Sequence, residues 1–360
     1  MKKAYSKEPT TTSGKKATRI AIVLSTYNGE TFLSELLDSL FEQTYTDWDL
    51  WVRDDGSTDR TVEILHTKKK EWEEKEADHT FTISSGPNCG PARSFLHLLS
   101  TVPGIYEAYA FCDQDDIWLK NKLFKAKKRL DAHRSSYGNI PFMYHTGFSY
   151  TGSDKETTQL ASEPKNIGFS NALVQNQVTG CTLIIDSQLR ELVLYEIEPF
   201  VSDDYIRNHC SNMNKEFQKN DPVDHIIMHD WWVYLIGTAF GNHYYDPEPS
   251  LIFRRHDATA TPASGSFFDE YKGRLKHLSK RSFSIQHIVD QVRLFHALFG
   301  PAEHSPEAPR LDDEQLYLMQ PLIQENSNFL AKVRHFFSAP YKRSRRIETL
   351  MFRFLMFFTK

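Results

Sequence analysis

The chain has 360 residues, 40% of them hydrophobic and 25% charged, and a formal net charge of -4 with histidine neutral. That balance is ordinary for a folded protein and supplies no global positive field for nucleic acid. The cysteines Cys89, Cys112, Cys181 and Cys210 show no Cys-x-x-Cys spacing, so they read as small apolar residues of a reducing compartment, not as a disulfide frame or zinc site. No run approaches the ~18 apolar residues of a membrane span, and the N-terminus lacks an apolar signal core, so the expectation is a cytoplasmic protein. The length permits one large α/β domain with an appendage, or two modest domains.

Residues 1–18 are Lys, Ser, Thr and Gly with little to bury and read as a disordered tail. Arg19–Ser25 is a short β-branched apolar run, a fully buried strand, and Tyr27-Asn-Gly29 is a turn. Phe32, Leu33, Leu36, Leu37, Leu40 and Phe41 recur at helical spacing. Trp48–Arg53 predicts the second strand, followed by a polar loop at Asp54–Asp59 and a charged helix from about Thr61 to Glu74. Phe81–Ser84 predicts a strand, Pro91 opens a helix through Leu99, and Tyr106–Cys112 predicts a strand that ends in Asp113-Gln-Asp-Asp116. A basic helix is expected from Trp118 to His133. Beyond about residue 140, Phe142–Tyr150, Thr182–Ile185 and Leu251–Arg254 read as strands, Phe169–Gln175 as a short helix and His229–Phe240 as a buried helix. Residues 197–222 read as a polar loop or insertion, and the chain looks helical from about Ser266 to its end.

Strands alternating with helices imply βαβ units and a mostly parallel sheet. The right-handed crossover rule then gathers Thr26–Asn28, Asp54–Ser57, Asn88–Gly90 and Asp113–Asp116 at the strand C-termini, where open α/β sheets bind ligands. In an extended segment Asp113 and Asp115 share one side, and two hard oxygen ligands suit Mg2+ or Mn2+ beside phosphate oxygens. The bland reading of the same residues is an acidic turn that caps the next helix. Asp54 and Asp55 end a strand, where a carboxylate can accept from a nucleobase or ribose, or serve as loop and cap. Asp230 is either a helix cap or a general base beside a sugar platform of Trp231 and Trp232. His256 is structural or a metal ligand, and Arg254 and Arg255 face phosphate or solvent. No G-x-x-x-x-G-K-[ST] loop is present and no G-x-G-x-x-G follows the first strand, which argues against P-loop and NAD enzymes.

Ile22-Val-Leu-Ser-Thr-Tyr-Asn-Gly29, Arg53-Asp-Asp-Gly-Ser-Thr-Asp59 and Phe111-Cys-Asp-Gln-Asp-Asp-Ile-Trp118 resemble glycosyltransferase family 2, with the GT-A fold. Gln175–Thr182 and His229-Asp-Trp-Trp232 resemble its bacterial rhamnosyltransferase-like branch, so the resemblance spans about residues 19–257. It implies a Rossmann-like, mostly parallel sheet flanked by helices, with a catalytic domain over 19–260 and a helical C-terminal region over 261–360. The nucleotide-sugar half would cover about 19–116 and the acceptor half about 117–260. It implies a donor pocket of Thr26, Tyr27, Asn28, Asp54, Asp55, Asn88, Gly90, Arg93, Asp113, Gln114, Arg254 and Arg255. Thr179, Gly180, Trp231 and Trp232 would face the acceptor. Asp113, Asp115 and His256 would hold Mn2+ or Mg2+, and Asp230 would be the base of an inverting displacement. Where the family often has Asn, this chain has Ser94 before Phe95, which removes one assumed contact.

The implied donor is dTDP-rhamnose and the implied acceptor a growing cell-surface or lipid-linked glycan, with a UDP-hexose or UDP-N-acetylhexosamine as the alternative donor. A sugar nucleotidyltransferase would show a G-x-G-T-R type loop that Ser25–Gly29 does not match, and a non-catalytic sugar-binding protein would not need Asp113, Asp115 and Asp230 together. From Phe329 to Lys360, cations alternate with aromatics. This reads either as an interfacial helix peripheral to the inner membrane face or as a helix that packs in the fold or between copies.

Overall fold

The structure is a computed structural model, described over residues 19–75, 78–151, 158–211, 221–254, 278–301, 309–324, 333, 336–337 and 339–356. The expected N-terminal tail, Arg255 and His256 lie outside the described residues.

By its contacts the chain forms two compact units. The first gathers the described residues of Met1–Glu163, Val178–Asp224 and Met228–Arg254. Its opening half follows the alternation read from the sequence: β1 (Ile20–Thr26), α1 (Leu33–Phe41), β2 (Trp48–Asp54), α2 (Thr61–Glu74), β3 (Phe81–Ser85), α3 (Pro91–Thr101) and β4 (Ala108–Asp113). Strands β3, β2, β1 and β4 lie side by side in parallel. The reason is visible in burial. Ile20, Ala21, Ile22, Val23 and Leu24 are all fully buried, so β1 has no solvent face and must be covered by helices on both sides. Helix α1 buries Leu33, Leu36, Leu37 and Leu40, one apolar stripe. Pro91 occupies the first turn of α3, where a missing N–H costs nothing, after Gly90 at φ 81°.

The second half turns the sheet. β5 (Ile117–Trp118) precedes α4 (Lys122–Tyr137), so Trp118 is a strand residue and the basic helix starts later than its sequence suggests. β6 (Phe142–Thr151), β7 (Thr158–Leu160), β8 (Leu183–Asp186) and β9 (Asn242–Phe253) follow, with α6 (Ser187–Leu194), α7 (Asp203–Ser211) and α8 (His229–Phe240) between them. The order is β3-β2-β1-β4-β8-β6-β9-β5, with β7 paired to β6. β8 runs antiparallel to β4 and β6, which reverses the strand direction beside β4. The polar stretch expected as a loop contains α7, and the last strand is 12 residues long. Asp186 caps α6 by accepting from Leu189 N at 2.9 Å.

The second unit gathers the described residues of Pro164–Gln177, His225–Ile227 and Arg255–Lys360. It holds α5 (Phe169–Ala172), α9 (Leu278–Phe299), α10 (Asp313–Ile323) and α11 (Arg346–Met356). Asp312 and Gln315 form a reciprocal capping box on α10. Asn171 Nδ2 donates to Lys342 O at 2.9 Å and Ser344 N to Gln175 Oε1 at 2.7 Å, so the 164–177 segment is tied to the C-terminal chain by hydrogen bonds. No helix among the described residues is long and apolar enough to cross a membrane.

Candidate active site

Parallel pairing puts Ser25 beside Arg53 and beside Asp113, and Thr26 beside Asp54, so the polar ends of β1, β2 and β4 form one row. The loops of this row are bound to one another. Thr26 Oγ1 donates to Asp54 Oδ1 at 3.1 Å, and Ser57 N donates to Asp54 Oδ2 at 2.9 Å. Asn28, at φ 48°, donates from its backbone to Ser57 Oγ at 2.9 Å and accepts from Thr58 N at 2.9 Å. Gln114 clamps Tyr27 from both sides: Tyr27 N donates to its Oε1 at 2.8 Å, and its Nε2 donates to Tyr27 O at 2.9 Å. A Cβ on Gly29 would stand 2.4 Å from Gln114 Oε1, so a larger residue here would push the Gln114 clamp aside.

Asp55 organises the neighbouring loop. It is buried in an ion pair with Arg53, and accepts from Cys89 N at 2.9 Å and Gly90 N at 3.0 Å. Arg53 also donates to Ser94 Oγ at 2.9 Å and Pro87 O at 3.0 Å. Ser94, fully buried, lies 2.6 Å from Ser25 Oγ. The structure therefore uses the side chains of Thr26, Asp54 and Asp55 to hold loops, and leaves Tyr27, Asn28 and Asn88 exposed at the edge.

Two expected site residues are placed elsewhere. Arg93 is buried and donates to both Asp221 and Asp224 at 2.7 Å, so its guanidinium is committed to the chain and not to a phosphate. Trp232 is fully buried and donates its indole N–H to Val193 O at 3.1 Å, which makes it a core residue and not a sugar platform; Trp231 beside it is half-buried. Arg254 pairs with Glu35 and lies over the Phe32 ring.

The acidic segment does not stay extended after Asp113; it turns at Gln114 and Asp115. Alternation consequently fails, and Asp116 swings in beside Asp113. One ligand atom each from Asp113, Asp116 and Cys181 lie within 4.8 Å of one another. Asp116 is fully buried, and neither of its oxygens has a hydrogen-bond partner of good geometry. Burial, then Asp115, then Asp230 raise the Asp113 carboxyl to about 7. Burial, reinforced by Asp113 and Asp115, pushes Asp116 well above the usual carboxylate range. Lys122 acts against this repulsion. It is fully buried, donates to Cys181 O at 2.6 Å and Ser250 Oγ at 3.2 Å, and burial lowers its ammonium. Cys181 lies in the Gln175–Thr182 segment but reads there as a small apolar residue, and Lys122 carries no motif of its own. The available signal was spacing, because Lys122, Ala126, Leu130 and His133 form one buried stripe of α4.

Asp230 faces this cluster from the start of α8. Gly180 N donates to its Oδ2 at 3.0 Å and Trp231 N to its Oδ1 at 2.7 Å. Met228, not Asp230, occupies the cap position. His229 stacks on Phe95 and Phe111 with centroids 4.0 and 5.2 Å away, and burial lowers its imidazole to about 3, so it is a neutral core ring. It also wedges Gly180: a Cβ there would stand 2.8 Å from His229 Nε2. Thr179 accepts from Thr182 N at 2.9 Å and closes this turn. A separate surface hollow of about 430 Å³, lined by Tyr45, Asp47, Phe124, Lys127, Lys128 and Asp131, lies near the start of β2 and includes none of these groups.

Comparison with known proteins shows similarity to one family. The model of glycosyl transferase family 2 matches residues 21–193. A dTDP-rhamnosyl transferase of Shigella flexneri is 28% identical over 256 residues, covering 69% of this chain and 77% of its own. A UDP-Glc:alpha-D-GlcNAc-diphosphoundecaprenol beta-1,3-glucosyltransferase of Escherichia coli is 29% identical over 171 residues, covering 47% of this chain and 61% of its own. Among solved structures, a mannosyltransferase of Pyrobaculum calidifontis in complex with GDP-Man and Mn2+ aligns with a TM-score of 0.45 at 15% identity, covering 98% of this chain and 76% of that one.

Proposed function

The chain belongs to glycosyltransferase family 2 and transfers a sugar from a nucleotide sugar; from that premise we propose that its donor is dTDP-rhamnose, its acceptor a hydroxyl of a growing cell-surface or lipid-linked glycan, and its chemistry one metal-assisted displacement with inversion. The observation that carries the chemistry is Asp230, oriented by two backbone N–H groups and electrostatically coupled to Asp113 at the end of β4.

Asp230 accepts the proton of the acceptor hydroxyl as its oxygen attacks the anomeric carbon from the face opposite the diphosphate. The reading of Asp113 and Asp115 as holders of a divalent cation is supported by their repulsion, which helps raise Asp113 and which the buried Lys122 does not offset alone. A bound Mn2+ or Mg2+ would neutralise the departing diphosphate. Tyr27 and Asn28, fixed by Gln114 and Ser57, offer an exposed rim for the nucleotide, and Thr179, Gly180 and Trp231 border the acceptor side of Asp230. In this reading the acceptor oxygen attacks the sugar directly, so a single inversion follows.

Rhamnose is favoured by the rhamnosyl transferase relative, whose match spans most of both chains. The glucosyltransferase relative supports a UDP-hexose as the second reading. A screen of purified protein against nucleotide sugars decides between them: dTDP-rhamnose should raise the melting temperature by mass action and yield product of inverted configuration, with transfer lost in EDTA. Reaction with UDP-hexoses alone refutes the rhamnose reading.

The location follows from the acceptor. On α11, Ile347, Leu350 and Phe354 are 53%, 50% and 55% exposed at i, i+3 and i+7, next to exposed Lys342, Arg345 and Arg346. Arg353 does not join them, because it donates to the carbonyls of Phe336, Ala339 and Tyr341. An apolar stripe flanked by cations suits the anionic cytoplasmic face of a membrane. Changing all three stripe residues to serine should abolish binding to anionic vesicles at low salt while leaving turnover of a soluble acceptor. Unchanged vesicle binding contradicts this placement.

A further inference from the structure

Cys181 is unusual for a core thiol. It sits in the short 3-10 turn Gly180–Thr182 and is fully buried, yet its sulfur is grouped with the carboxylates of Asp113 and Asp116. A buried carboxylate normally has partners, because desolvation without them is costly. Neither Asp116 oxygen has a hydrogen-bond partner of good geometry, and the polar group set against them is the Cys181 thiol. Lys122 spends two of its three ammonium donors on Cys181 O and Ser250 Oγ, and it makes no hydrogen bond to Asp116.

We propose that Asp113, Asp116 and Cys181 form a binding site for a thiophilic divalent cation, Zn2+ or Cd2+, with Cys181 bound as the thiolate. The thiol proton and the protons of the Asp113 and Asp116 carboxyls leave to solvent as the metal–ligand bonds form. Two carboxylates and one thiolate then face a divalent ion and the Lys122 ammonium, so the charges of the buried cluster cancel. Sulfur selects the ion: Mg2+ and Mn2+ prefer all-oxygen sites, whereas Zn2+ takes thiolate and carboxylate together. Bond lengths of ~2.0–2.3 Å require ligand atoms about 3.3–3.8 Å apart in a tetrahedral site, a modest contraction of the present grouping, whose atoms lie within 4.8 Å. The site stands independently of the transfer reading. Only its consequence rests on that reading: Asp113 serves both ions, so the soft cation excludes Mn2+ and inhibits transfer.

The test is a Cd2+ titration of the metal-stripped full chain, read by the ultraviolet charge-transfer band of a cadmium–thiolate bond. The native protein should develop the band at one equivalent, the Cys89→Ser variant should keep it, and the Cys181→Ser variant should lose it. Absence of the band from native protein, or its persistence in Cys181→Ser, overturns the proposal. Asp116→Asn gives a second readout that leaves the thiol in place: it should retain the band but need at least about tenfold more Cd2+, as expected when a site loses a charged ligand. Unchanged Cd2+ affinity in that variant removes Asp116 from the site and overturns the trio. A protein that gives the band but transfers sugar from no nucleotide donor refutes the transferase reading and leaves the metal site intact.

Discussion

The loops after β1 and β2 and the acidic cluster after β4 stand at the same edge of one sheet, but they are built on opposite principles. In the loops, acids are matched within the chain: Asp54 holds Thr26 and Ser57, and Asp55 holds Arg53, Cys89 and Gly90. In the cluster, Asp115 and Asp230 repel Asp113, Asp113 and Asp115 repel Asp116, and neither Asp116 oxygen has a hydrogen-bond partner of good geometry. The first arrangement gives a rigid rim. The second crowds acids whose carboxyls burial and repulsion raise, which is how reactive sites are commonly marked. Identical side chains thus have different functions according to whether the fold supplies their partners.

The sharpest test of that contrast is Asp230→Asn. A lost general base lowers the catalytic rate by about two to four orders of magnitude, and donor affinity should change little. Steady-state rates with direct donor-binding measurements check this; a collapsed donor affinity with rate preserved at saturation would reduce Asp230 to an orienting group.

Asp55 and Asp113 should separate stability from activity. Asp55→Asn strands the buried Arg53 charge, and breaking such a pair costs about 3–5 kcal/mol in a denaturant melt. Asp113→Asn removes a repulsive charge, so it should fold at least as well as the native chain and lose most transfer. Equal destabilisation by the two changes would erase the distinction between rim and cluster.

A smaller effect is expected with pH. Folding raises the Asp113 carboxyl from its ordinary 3.8 to about 7, so its contribution to stability is complete below the unfolded value and is lost as pH rises through about 7. Mn2+ binds the charged form, so its stabilisation should grow over the same interval, larger near pH 8 than near pH 5.5. Asp186, raised by burial to about 7 as well, titrates in this window and stays in Asp113→Asn, so that variant should lose part of the slope and not all of it. Thermal melts across pH, with and without Mn2+, supply the check; a variant slope equal to the native one would assign the effect elsewhere.

Much of this edge was legible because its signals are local. β-branched runs, helical stripes and the strand-to-loop spacing of Asp54 and Asp113 depend on near neighbours in sequence, and the parallel order of β1 to β4 follows from alternation and crossover handedness. The residues that were misplaced share another feature: their partners are distant. Arg93 meets Asp221 and Asp224, and Trp232 meets Val193. Lys122 meets Cys181 and Ser250. A lysine in a helix as basic as α4 looks solvated, and only its stripe with Ala126, Leu130 and His133 hints that it turns inward.

The sequence by itself determined the strand and helix order, the gathering of polar loops at one sheet edge and the family resemblance, since each is written in short segments and their order. The tertiary structure alone decided which acids are matched and which are not. The turn at Gln114 and Asp115 cancels the alternation that would have paired Asp113 with Asp115 alone, and the antiparallel return of β8 brings Cys181 and Gly180 back beside β4. Charge partnership is a property of distance in space, and no spacing along the chain encodes it.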